Sequence, residues 1–437
     1  MRVEKFYTVE NPVIIRNKLV KWAGKFPVFC FLNSNRLSKK EDHYSDFDII
    51  LGAGIRDYIK PTPGQSFESL EHFFNEKKDW IFGYFSYDLK NETEDLESNH
   101  QDRIGFPSIH FFQPELVITL TGNKLKIYFL PDHNADPDAV FREVTETTSG
   151  EIYLNNTING LSEKYTRQQY IEKVDRIKNH IHKGDVYEIN FCHEYYAEDV
   201  DISPVSVYLK LNDHSPAPFS GFYKLSDKYL ICSSPERFLK YDGNYVISQP
   251  IKGTRKRGEN NTEDKRLSEE LRNDPKERAE NIMIVDLVRN DLAKIADKDS
   301  VEVEELCGIY TFAQVHQMIS TVKAKLRSGI HPVQIIRQVF PMGSMTGAPK
   351  VKAMELIEKY EDTKRGLYSG SVGYFTPEGH FDFNVVIRSL LYNMSGKYIS
   401  YMAGSAITAL SEPENEYNEC MLKAKAIFEV LLDRPNQ

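Results

Sequence analysis

Residues 221–252, GFYKLSDKYLICSSPERFLKYDGNYVISQPIK, decide the fold class. Two runs rich in aromatic and β-branched residues, GFYKLSDKYLICSSP and FLKYDGNYVISQPI, are separated by polar and turn-forming residues and predict strands. Lys252 follows directly after the second run. Strands and helices elsewhere in the chain are mixed without strict βαβ alternation, which favours an α+β fold with antiparallel sheet over a doubly wound fold.

The region before this stretch, residues 1–145, is predicted to be mostly β, with one helix at 66–76 and strands at 27–32, 47–55, 80–89 and 116–130. A polar stretch, residues 145–166, is taken as a connection, so the chain divides into residues 1–150 and 160–433. After it, a capping box of Thr166 and Gln169 opens an amphipathic helix that ends at Gly184. Further helices are predicted at 262–272, 274–296, 311–326, 331–339, 348–360 and 412–432, and late strands at 369–377, 380–392 and 398–408.

The composition is that of an ordinary globular protein of 437 residues, with a net charge of -9 and a pI near 5.8. This charge argues against a nucleic-acid or anionic-membrane partner, whose binding surface would be basic. No apolar run approaches the length of a membrane span, so we expect a cytoplasmic protein. The five cysteines are odd in number and widely spaced, which is typical of reduced packing residues.

Two predicted helices each place pairs of carboxylates one turn apart. In the first, Asp274 is the expected N-cap, followed by Pro275, Glu277 and Glu280. In the last, Ser411 and Glu414 form an expected capping box, followed by Glu416, Glu419 and Lys423. Desolvated carboxylates at this spacing repel one another, and all-oxygen ligation of Mg²⁺ would relieve the repulsion. The alternative is solvated helix N-termini, where the helix dipole favours acidic residues.

Several single residues carry two interpretations. Lys252 is either part of a basic surface loop, SQPIKGTRKRG (248–258), or a buried amine used as a nucleophile. Arg388 stands in an apolar run predicted as strand, which suggests a buried anionic partner. Gly370 and Gly373, beside Tyr368, allow either close approach to a ligand or a bulge. The loop GSMTGAPK (343–350) lacks the glycine and lysine that a phosphate-binding loop requires.

Nine segments together resemble the chorismate-utilising enzymes, in the order that this family shows. They are GDVYEINF (184–191), SPERFL (234–239), PIKGTRKRG (250–258), AENIMIVDLVRNDL (279–292), VHQMIS (315–320), GSMTGAPK, RGLYSGSVGY (365–374), NVVIRS (384–389), and AGSAIT followed by SEPENEYNEC. The resemblance implies a layered antiparallel β-sandwich with helices outside. The lysine of PIKGT is similar to that of the aminodeoxychorismate synthases of this family, whereas anthranilate synthases typically have alanine there.

The resemblance also implies roles for individual residues. Lys252 would attack C2 of chorismate as the C4 hydroxyl leaves, and ammonia would then resolve the adduct at C4. A lysine is mostly protonated near neutral pH, so it needs a base or a cationic environment, for which Arg255, Lys256 and Arg257 are candidates. Implied Mg²⁺ ligands are Glu280 and Glu419, with Glu277 and Glu416 acting through water; implied substrate contacts are Lys423, Tyr368, Arg388 and Gly404, and implied groups around the reacting carbons are His316, Thr254 and Glu236.

Three positions depart from the family pattern. Glu188 replaces a glutamine, and we hypothesise that its carboxylate pairs with or deprotonates Lys252. In isochorismate-forming relatives this position is a lysine that activates water, so Glu188 argues against that reaction. Met342 replaces a glycine, and Ser405 and Ala406 replace the usual alanine and glycine, which narrows the backbone freedom at both turns.

The family's ammonia comes from a glutaminase, and no cysteine of this chain lies in the Gly-x-Cys-x-Gly setting of that enzyme. We therefore predict a separate glutamine amidotransferase subunit. Two alternatives stay open, namely anthranilate synthase component I and a non-catalytic subunit of the same fold. Mutually repelling glutamates have no use in a scaffold, which argues against the second.

Overall fold

The computed structural model describes residues 2–36, 43–132, 136–148, 158 and 160–432, without the side chain of Ala426. Part of the predicted connection, 149–157 and 159, therefore lies outside the described residues. The helices are α1 (Pro12–Ala23), α2 (Ser66–Lys77), α3 (Pro137–Glu146), α4 (Arg167–His182), α5 (Pro204–His214), α6 (Asn261–Asn273), α7 (Pro275–Ala293), α8 (Pro332–Val339), α9 (Lys350–Tyr360) and α10 (Pro413–Leu432), with short 3₁₀ helices at Tyr87–Glu92 and Gly343–Met345. None of the helices in these ranges is long and apolar enough to cross a membrane.

The strands form two large sheets in which every pairing is antiparallel. Sheet A has the order β1-β8-β7-β3-β2-β11-β12-β21-β22-β10-β18, with β9 beside β10, and sheet B has the order β15-β17-β14-β13-β20-β19-β5-β6-β4, with β16 beside β17. The strands are β1 (Val3–Thr8), β2 (Val28–Asn33), β3 (Ile49–Ala53), β4 (Asp57–Tyr58), β5 (Ile81–Phe85), β6 (Ile109–Gln113), β7 (Leu116–Thr121), β8 (Lys124–Phe129), β9 (Ser162–Glu163), β10 (Glu188–Ala197), β11 (Phe219–Leu225), β12 (Lys228–Ser234), β13 (Arg237–Tyr241), β14 (Tyr245–Gln249), β15 (Ile251–Lys256), β16 (Glu302–Thr311), β17 (Val315–Lys325), β18 (Gly347–Ala348), β19 (Ser371–Phe375), β20 (Phe381–Asn384), β21 (Ser389–Asn393) and β22 (Tyr398–Ile407).

Two apolar cores hold these layers together. One lies between the sheets and extends to α2, α7 and α8, which cover sheet B. The other lies between the outer face of sheet A and α1, α3, α4, α5, α9 and α10. The predicted α+β sandwich with outer helices is therefore confirmed, because each sheet buries one face against its partner and the other against helices.

Both sheets continue across the division predicted between residues 150 and 160. In sheet A, β2 pairs with β11, and in sheet B, β5 pairs with β19. Strands from before and after the connection thus lie side by side within each sheet. The two regions are therefore consecutive in the chain but contribute neighbouring strands to the same two sheets.

The predicted N-terminal caps of α4 and α7 and the predicted buried face of α4 are confirmed. Thr166 and Gln169 form the expected capping box of α4, and Tyr170 lies on its buried stripe. Asp274 caps α7 by accepting hydrogen bonds from the backbone N–H groups of Lys276 and Glu277. These signals depend only on neighbouring residues, which is why the sequence carries them.

Other local predictions are wrong. Residues 311–326, predicted as a helix, contain strand β17, which lies between β14, β15 and β16 and is rich in β-branched residues. Helices α1, α3 and α5 are not among the predicted elements. The expected capping box of α10 is absent, because the helix begins at Pro413 and the Ser411 hydroxyl instead donates to the carbonyl of Ala406.

The predicted strand 380–392 is also two strands, β20 in sheet B and β21 in sheet A. Arg388 lies in the break between them with a left-handed φ of 49°. A second crossing joins β12 of sheet A to β13 of sheet B, and Glu236 lies there. The two crossings are neighbours, since the N–H of Val385 donates to the carbonyl of Glu236 (3.0 Å) and the N–H of Ser233 to that of Arg388 (3.1 Å).

Candidate active site

Lys252 and Glu188 form an ion pair where the two sheets approach each other. Glu188 begins β10 of sheet A and Lys252 lies on β15 of sheet B. Lys252 Nζ is 3.0 Å from Glu188 Oε1, and the two side chains are 12% and 1% exposed. The other oxygen, Glu188 Oε2, is buried and has no hydrogen-bond partner among the residues that the structure describes. The pairing expected from the sequence is therefore present, and one carboxylate oxygen is left with free acceptor capacity.

The surroundings of Lys252 favour its ammonium form. Burial opposes the charge, but the carboxylates of Glu188, Glu280 and Glu419 outweigh it and raise the pKa of Lys252. A nucleophilic amine must therefore pass a proton to a partner before it can react. Glu188 is the carboxylate in contact with it.

The sequence predicts that the basic residues after Lys252 lower its pKa, but this pKa is raised. Arg255 pairs with Asp274 (2.7 Å), and Arg257 pairs with both oxygens of Asp264 (2.8 and 2.7 Å). Lys256 is exposed. Each guanidinium is thus directed to its own carboxylate, and the basic run belongs to the contacts of β15 with α6 and α7.

Glu236 is a buried acid at the crossing from β12 of sheet A to β13 of sheet B. Its Oε1 accepts a hydrogen bond of 2.6 Å from the hydroxyl of Ser344. Burial raises the pKa of Glu236 to about 7, although Ser344, Lys252, Arg388 and Lys423 act in the opposite direction. A carboxyl group with this pKa can give up or accept a proton near neutral pH, as a general acid or base must.

Arg388 provides a buried cation at the crossing from β20 of sheet B to β21 of sheet A. Among the described residues, its guanidinium has no hydrogen bond or ion pair, and burial lowers its pKa. Tyr401 and Glu236 are the charged or titratable groups that act on it. A desolvated guanidinium without a bonded carboxylate is well suited to hold an anionic ligand.

The four glutamates of α7 and α10 meet on one side of the site. Burial raises the pKa of Glu277 and Glu416, and raises that of Glu280 to about 7. Glu419 differs, because the adjacent Lys423 outweighs burial and lowers its pKa. The carboxylates repel one another, since Glu419 raises the pKa of Glu277 on α7 and that of Glu416 on its own helix. The neighbouring lysines therefore offset the burial and repulsion of Glu277, Glu280 and Glu416 only in part.

One lysine lies within this cluster. Lys276 Nζ is 3.7 Å from Glu280 Oε1 and 3.8 Å from Glu416 Oε1, so it bridges α7 and α10. Within the described ranges, no three His, Cys, Asp or Glu side chains are gathered closely enough to bind a metal as they stand. Carboxylate oxygens are nevertheless the ligands that a hard divalent cation prefers, and here two of them already lie near the ammonium group of Lys276.

Lys423, Gly404 and Tyr368 come together around strand β22. Lys423 Nζ is 2.6 Å from Glu419 Oε1 and donates to the carbonyl of Gly404 (2.8 Å). A Cβ at Gly404 would lie 2.7 Å from Cys192 Sγ, and that thiol donates to the Tyr368 hydroxyl (3.8 Å). The structure therefore brings these three predicted substrate contacts into one region.

Gly370 and Gly373 serve close backbone packing. A Cβ at Gly370 would lie 2.2 Å from the carbonyl oxygen of Phe85, and one at Gly373 would lie 2.2 Å from that of Asp382. The N–H of Gly370 already donates to Leu367 (3.0 Å). Their surroundings account for glycine at both positions through the approach of neighbouring strands.

His316 and Thr254 lie on β17 and β15, beside the site. Both ring nitrogens of His316 are engaged, Nδ1 with Thr311 Oγ1 (2.9 Å) and Nε2 with Asp264 Oδ1 (3.0 Å). Thr254 is exposed two residues beyond Lys252. In this arrangement His316 is fixed by Asp264 of α6, so its predicted role near the leaving hydroxyl would require that contact to change.

The departures from the family pattern are all in packed positions. Ser405 lies beside the Tyr170 hydroxyl (3.0 Å) and hydrogen-bonds to Glu416, which helps offset the burial of that acid. Met342 is buried in the core between the sheets. The carbonyl of Ala406 accepts from Ser411. These residues shape the walls of the site.

Two buried ion pairs that bind backbone carbonyls near the candidate site were not predicted from the sequence. Arg365 is bidentate with Glu361 (2.8 and 2.6 Å) and donates to the carbonyls of Met345 and Asn190. Lys350 pairs with Asp291 (2.6 Å) and donates to the carbonyls of Val339 and Pro341. In the sequence, the only signal for these pairs was one charged residue inside each motif, RGLYSG and TGAPK. Lys350 of the second motif thus has a structural role.

Together these observations define the class of protein. A two-sheet α+β fold encloses a site that contains a buried lysine with a carboxylate partner, a buried arginine that no described residue pairs with, and two pairs of glutamates. Such a site suits a small polyanionic molecule that is held with the help of a cation. Residues 42–429 match the chorismate binding enzymes, and the chain belongs to that family.

Curated relatives include both types of aminating synthase. The chain is 36% identical to a probable chloroplastic aminodeoxychorismate synthase of Oryza sativa subsp. japonica over 80% of this chain and 43% of the relative. It is 32% identical to aminodeoxychorismate synthase component 1 of Bacillus subtilis (84% of this chain, 80% of the relative) and 33% identical to anthranilate synthase component 1 of Thermus thermophilus (80% and 77%). The chain thus spans less than half the length of the plant protein.

A solved structure agrees with the fold. Anthranilate synthase component I of Streptococcus pneumoniae superposes with a TM-score of 0.75 at 25% identity, over 89% of this chain and 93% of that one. The similar identities to the two types of synthase mean that overall likeness does not select between them.

Proposed function

We propose that this chain is the chorismate-converting component of an aminodeoxychorismate synthase, which forms 4-amino-4-deoxychorismate from chorismate and ammonia for 4-aminobenzoate and folate synthesis. The observation that supports it best is the pair of Lys252 and Glu188, 3.0 Å apart and directed into the site. A nucleophilic lysine needs a nearby proton acceptor, and a surface lysine would have neither this burial nor this partner.

The proposed reaction has two steps. The neutral amine of Lys252 adds to C2 while the two ring double bonds shift and the C4–O bond breaks. The hydroxyl leaves as water after it receives a proton. Ammonia then adds to C4, the double bonds return, and the C2–N bond breaks to release the lysine. One water is released and one ammonia consumed, with no net oxidation.

Each charged residue has a place in this scheme. Glu188 takes a proton from Lys252 before the attack. Glu236, with a pKa near 7, exchanges the proton of the leaving hydroxyl or of the incoming ammonia. Arg388 and Tyr368 hold the enolpyruvyl carboxylate, since Arg388 is a buried cation without a bonded partner in the described chain.

We further propose Mg²⁺ as the cofactor, held by Glu280 and Glu419, with Glu277 and Glu416 acting through water. Bound there, the ion would hold the ring carboxylate together with Lys423. It would also offset the negative charge of Glu280 and Glu419, which favours the ammonium form of Lys252. The pKa directions support this, because burial and carboxylate repulsion raise the pKa of Glu277, Glu280 and Glu416, and a bound cation would oppose both effects.

A separate glutamine amidotransferase is the proposed source of ammonia. The "component 1" in the names of the Bacillus and Thermus relatives supports a second component. We propose that both work in the cytoplasm.

The test is identification of the product by chromatography and mass after incubation of the purified chain with chorismate, Mg²⁺ and ammonium. We expect 4-amino-4-deoxychorismate, which an added lyase converts to 4-aminobenzoate. Anthranilate with pyruvate would instead support the other synthase type represented by the Thermus relative. No turnover, even with a glutaminase added, would contradict both and favour a non-catalytic subunit.

A further inference from the structure

Lys252 lies in a β-bulge. Ile251 pairs with Ile319 of β17, and the next pair is Thr254 with Gln317. Two residues of β15, Lys252 and Gly253, therefore face Met318 alone, and Gly253 adopts a left-handed φ of 96°. A bulge turns a side chain away from its regular alternation, so it determines where Lys252 is directed.

Asn281 of α7 binds two carbonyl groups at the bulge, one on each strand. Its Nδ2 donates to the carbonyl of Lys252 (3.2 Å) and to that of Met318 (3.1 Å). Asn281 is only 1% exposed. One buried amide thus joins the two strands where their own ladder is interrupted.

The orientation of this amide is fixed by its other contacts. Its Oδ1 accepts hydrogen bonds from the Ser320 hydroxyl and, more weakly, from the Cys307 thiol (3.7 Å). Ser320 Oγ in turn accepts from the backbone N–H of Cys307 (2.9 Å). Carbonyl oxygens only accept, so the NH₂ group must face Lys252 and Met318, and every hydrogen-bonding position of Asn281 is used.

The same helix carries the carboxylates of the site. Glu280 directly precedes Asn281, and Glu277 packs on the bulge, since a Cβ at Gly253 would lie 3.1 Å from Glu277 Oε2. α7 therefore sets the position of Lys252 relative to Glu277 and Glu280 through a single side-chain contact to its backbone.

We propose that Asn281 is a positioning residue for Lys252, an inference that rests on the proposed function. It touches neither substrate nor reacting atoms. It holds the bulge so that Lys252 Nζ reaches the ring carbon while Arg388 and Lys423, with the ion proposed at the glutamates, hold the two carboxylates of the substrate. Displacement of a reacting group by about 1 Å costs on the order of a hundredfold in rate.

The test compares wild type with Asn281→Ala in steady-state turnover of chorismate and ammonium. We expect kcat to fall about 30- to 100-fold while the KM for chorismate changes less than about threefold, because the carboxylate grips are retained. Mass spectrometry without ammonium should show slower formation of the Lys252 adduct. Asn212→Ala is the matched control, since it removes a buried, hydrogen-bonded amide from α5 on the outer face of sheet A (Asn212 2% exposed) and should retain wild-type kcat.

A second variant guards against loss of folding. Asn281→Ser retains one hydroxyl donor and should give an intermediate kcat with the same unchanged KM. Wild-type kcat in either folded Asn281 variant, or a rise in KM with kcat retained, would overturn the inference. A wild-type chain that forms neither adduct nor aminated product would overturn the proposed function itself, and the two failures are thereby distinguished.

Discussion

At the scale of single residues, Glu188 supplies a buried carboxylate where a nucleophilic lysine needs a proton acceptor. Its contact with Lys252 joins a strand of sheet A to a strand of sheet B. Its second oxygen has no hydrogen-bond partner among the described residues. A glutamine in its place would keep the shape and a hydrogen bond, but it could not hold a proton.

We expect Glu188→Gln to lower kcat about a hundredfold, since the loss of one general base typically costs this much or more. Initial rates over pH 6 to 9, about the range around neutrality where such groups act, measure the effect. The control is Glu194→Gln, a buried glutamate six residues further along β10 whose carboxylate accepts from Ser400 and Thr363. Undiminished activity of Glu188→Gln at every pH would refute a proton-transfer role.

Glu236 makes stability depend on pH. Its pKa is raised from 4.5 to about 7 in the folded protein, so the folded state binds its proton more tightly than the unfolded state does. The stability that this proton confers is full below pH 4.5 and is lost as the pH rises to about 7.

Glu236→Gln should therefore raise the free energy of unfolding at pH 8, by up to about 3 kcal/mol, and change it little at pH 4.5. Urea denaturation at the two pH values measures this difference. The exposed-helix variant Glu270→Gln is the control and should be nearly neutral at both. A Glu236→Gln gain of equal size at both pH values would mean that the carboxyl group does not titrate as described.

At the scale of elements, α7 and α10 determine the electrostatics of the site. Each begins near the site and presents its glutamates one turn apart, and Lys276 bridges Glu280 and Glu416 between the helices. This lysine offsets carboxylate repulsion in the metal-free protein. It also repels any further cation.

Lys276→Met should tighten Mg²⁺ binding about three- to tenfold, because one positive charge is removed beside the proposed ligands. Isothermal titration of Mg²⁺ into the protein without chorismate measures this directly. Lys265→Met, an exposed position on α6, carries the same change of net charge and should leave the affinity unchanged. Weaker binding by Lys276→Met would show that the lysine supports the metal site.

At the scale of the whole molecule, the site depends on loops that cross between the sheets. Arg365 donates hydrogen bonds to three separate segments of the chain. Its acceptors are the carbonyl of Asn190 on β10, the carbonyl of Met345 in the 343–348 loop, and the hydroxyl of Ser369. Glu361 balances its charge and also accepts from the N–H of Cys192 (2.8 Å). Both side chains are almost fully buried.

Glu361→Gln should lower the free energy of unfolding by about 3–5 kcal/mol, since it leaves a buried guanidinium without its counter-charge. Denaturant titration monitored by circular dichroism measures the loss. Glu270→Gln, which breaks an exposed pair with Arg266, should cost no more than about 1 kcal/mol. A similar small cost for both variants would show that Arg365 is held by its carbonyl contacts alone.

The sequence by itself determined the features that depend on neighbouring residues and on residue type. The caps of α4 and α7, the buried stripe of α4 and the antiparallel α+β class follow from local pattern, because spacing and capping chemistry act within one element. The family motifs named Lys252, Glu188 and Glu236, which the fold brings together, and also Gly370 and Gly373, whose surroundings are those of strand packing. The strand β17 was misread as a helix, since its burial between three partner strands outweighs its local pattern.

Only the tertiary structure decided how those residues meet. The pair of Lys252 with Glu188 joins two sheets, and the roles of Arg255 and Arg257 were settled by carboxylates on α6 and α7. Arg388 lies at a crossing and not within a strand, and Asn281 completes a bulge formed by two other strands. These contacts span residues far apart in the chain, and the physical reason is that burial and charge pairing are properties of the assembled layers.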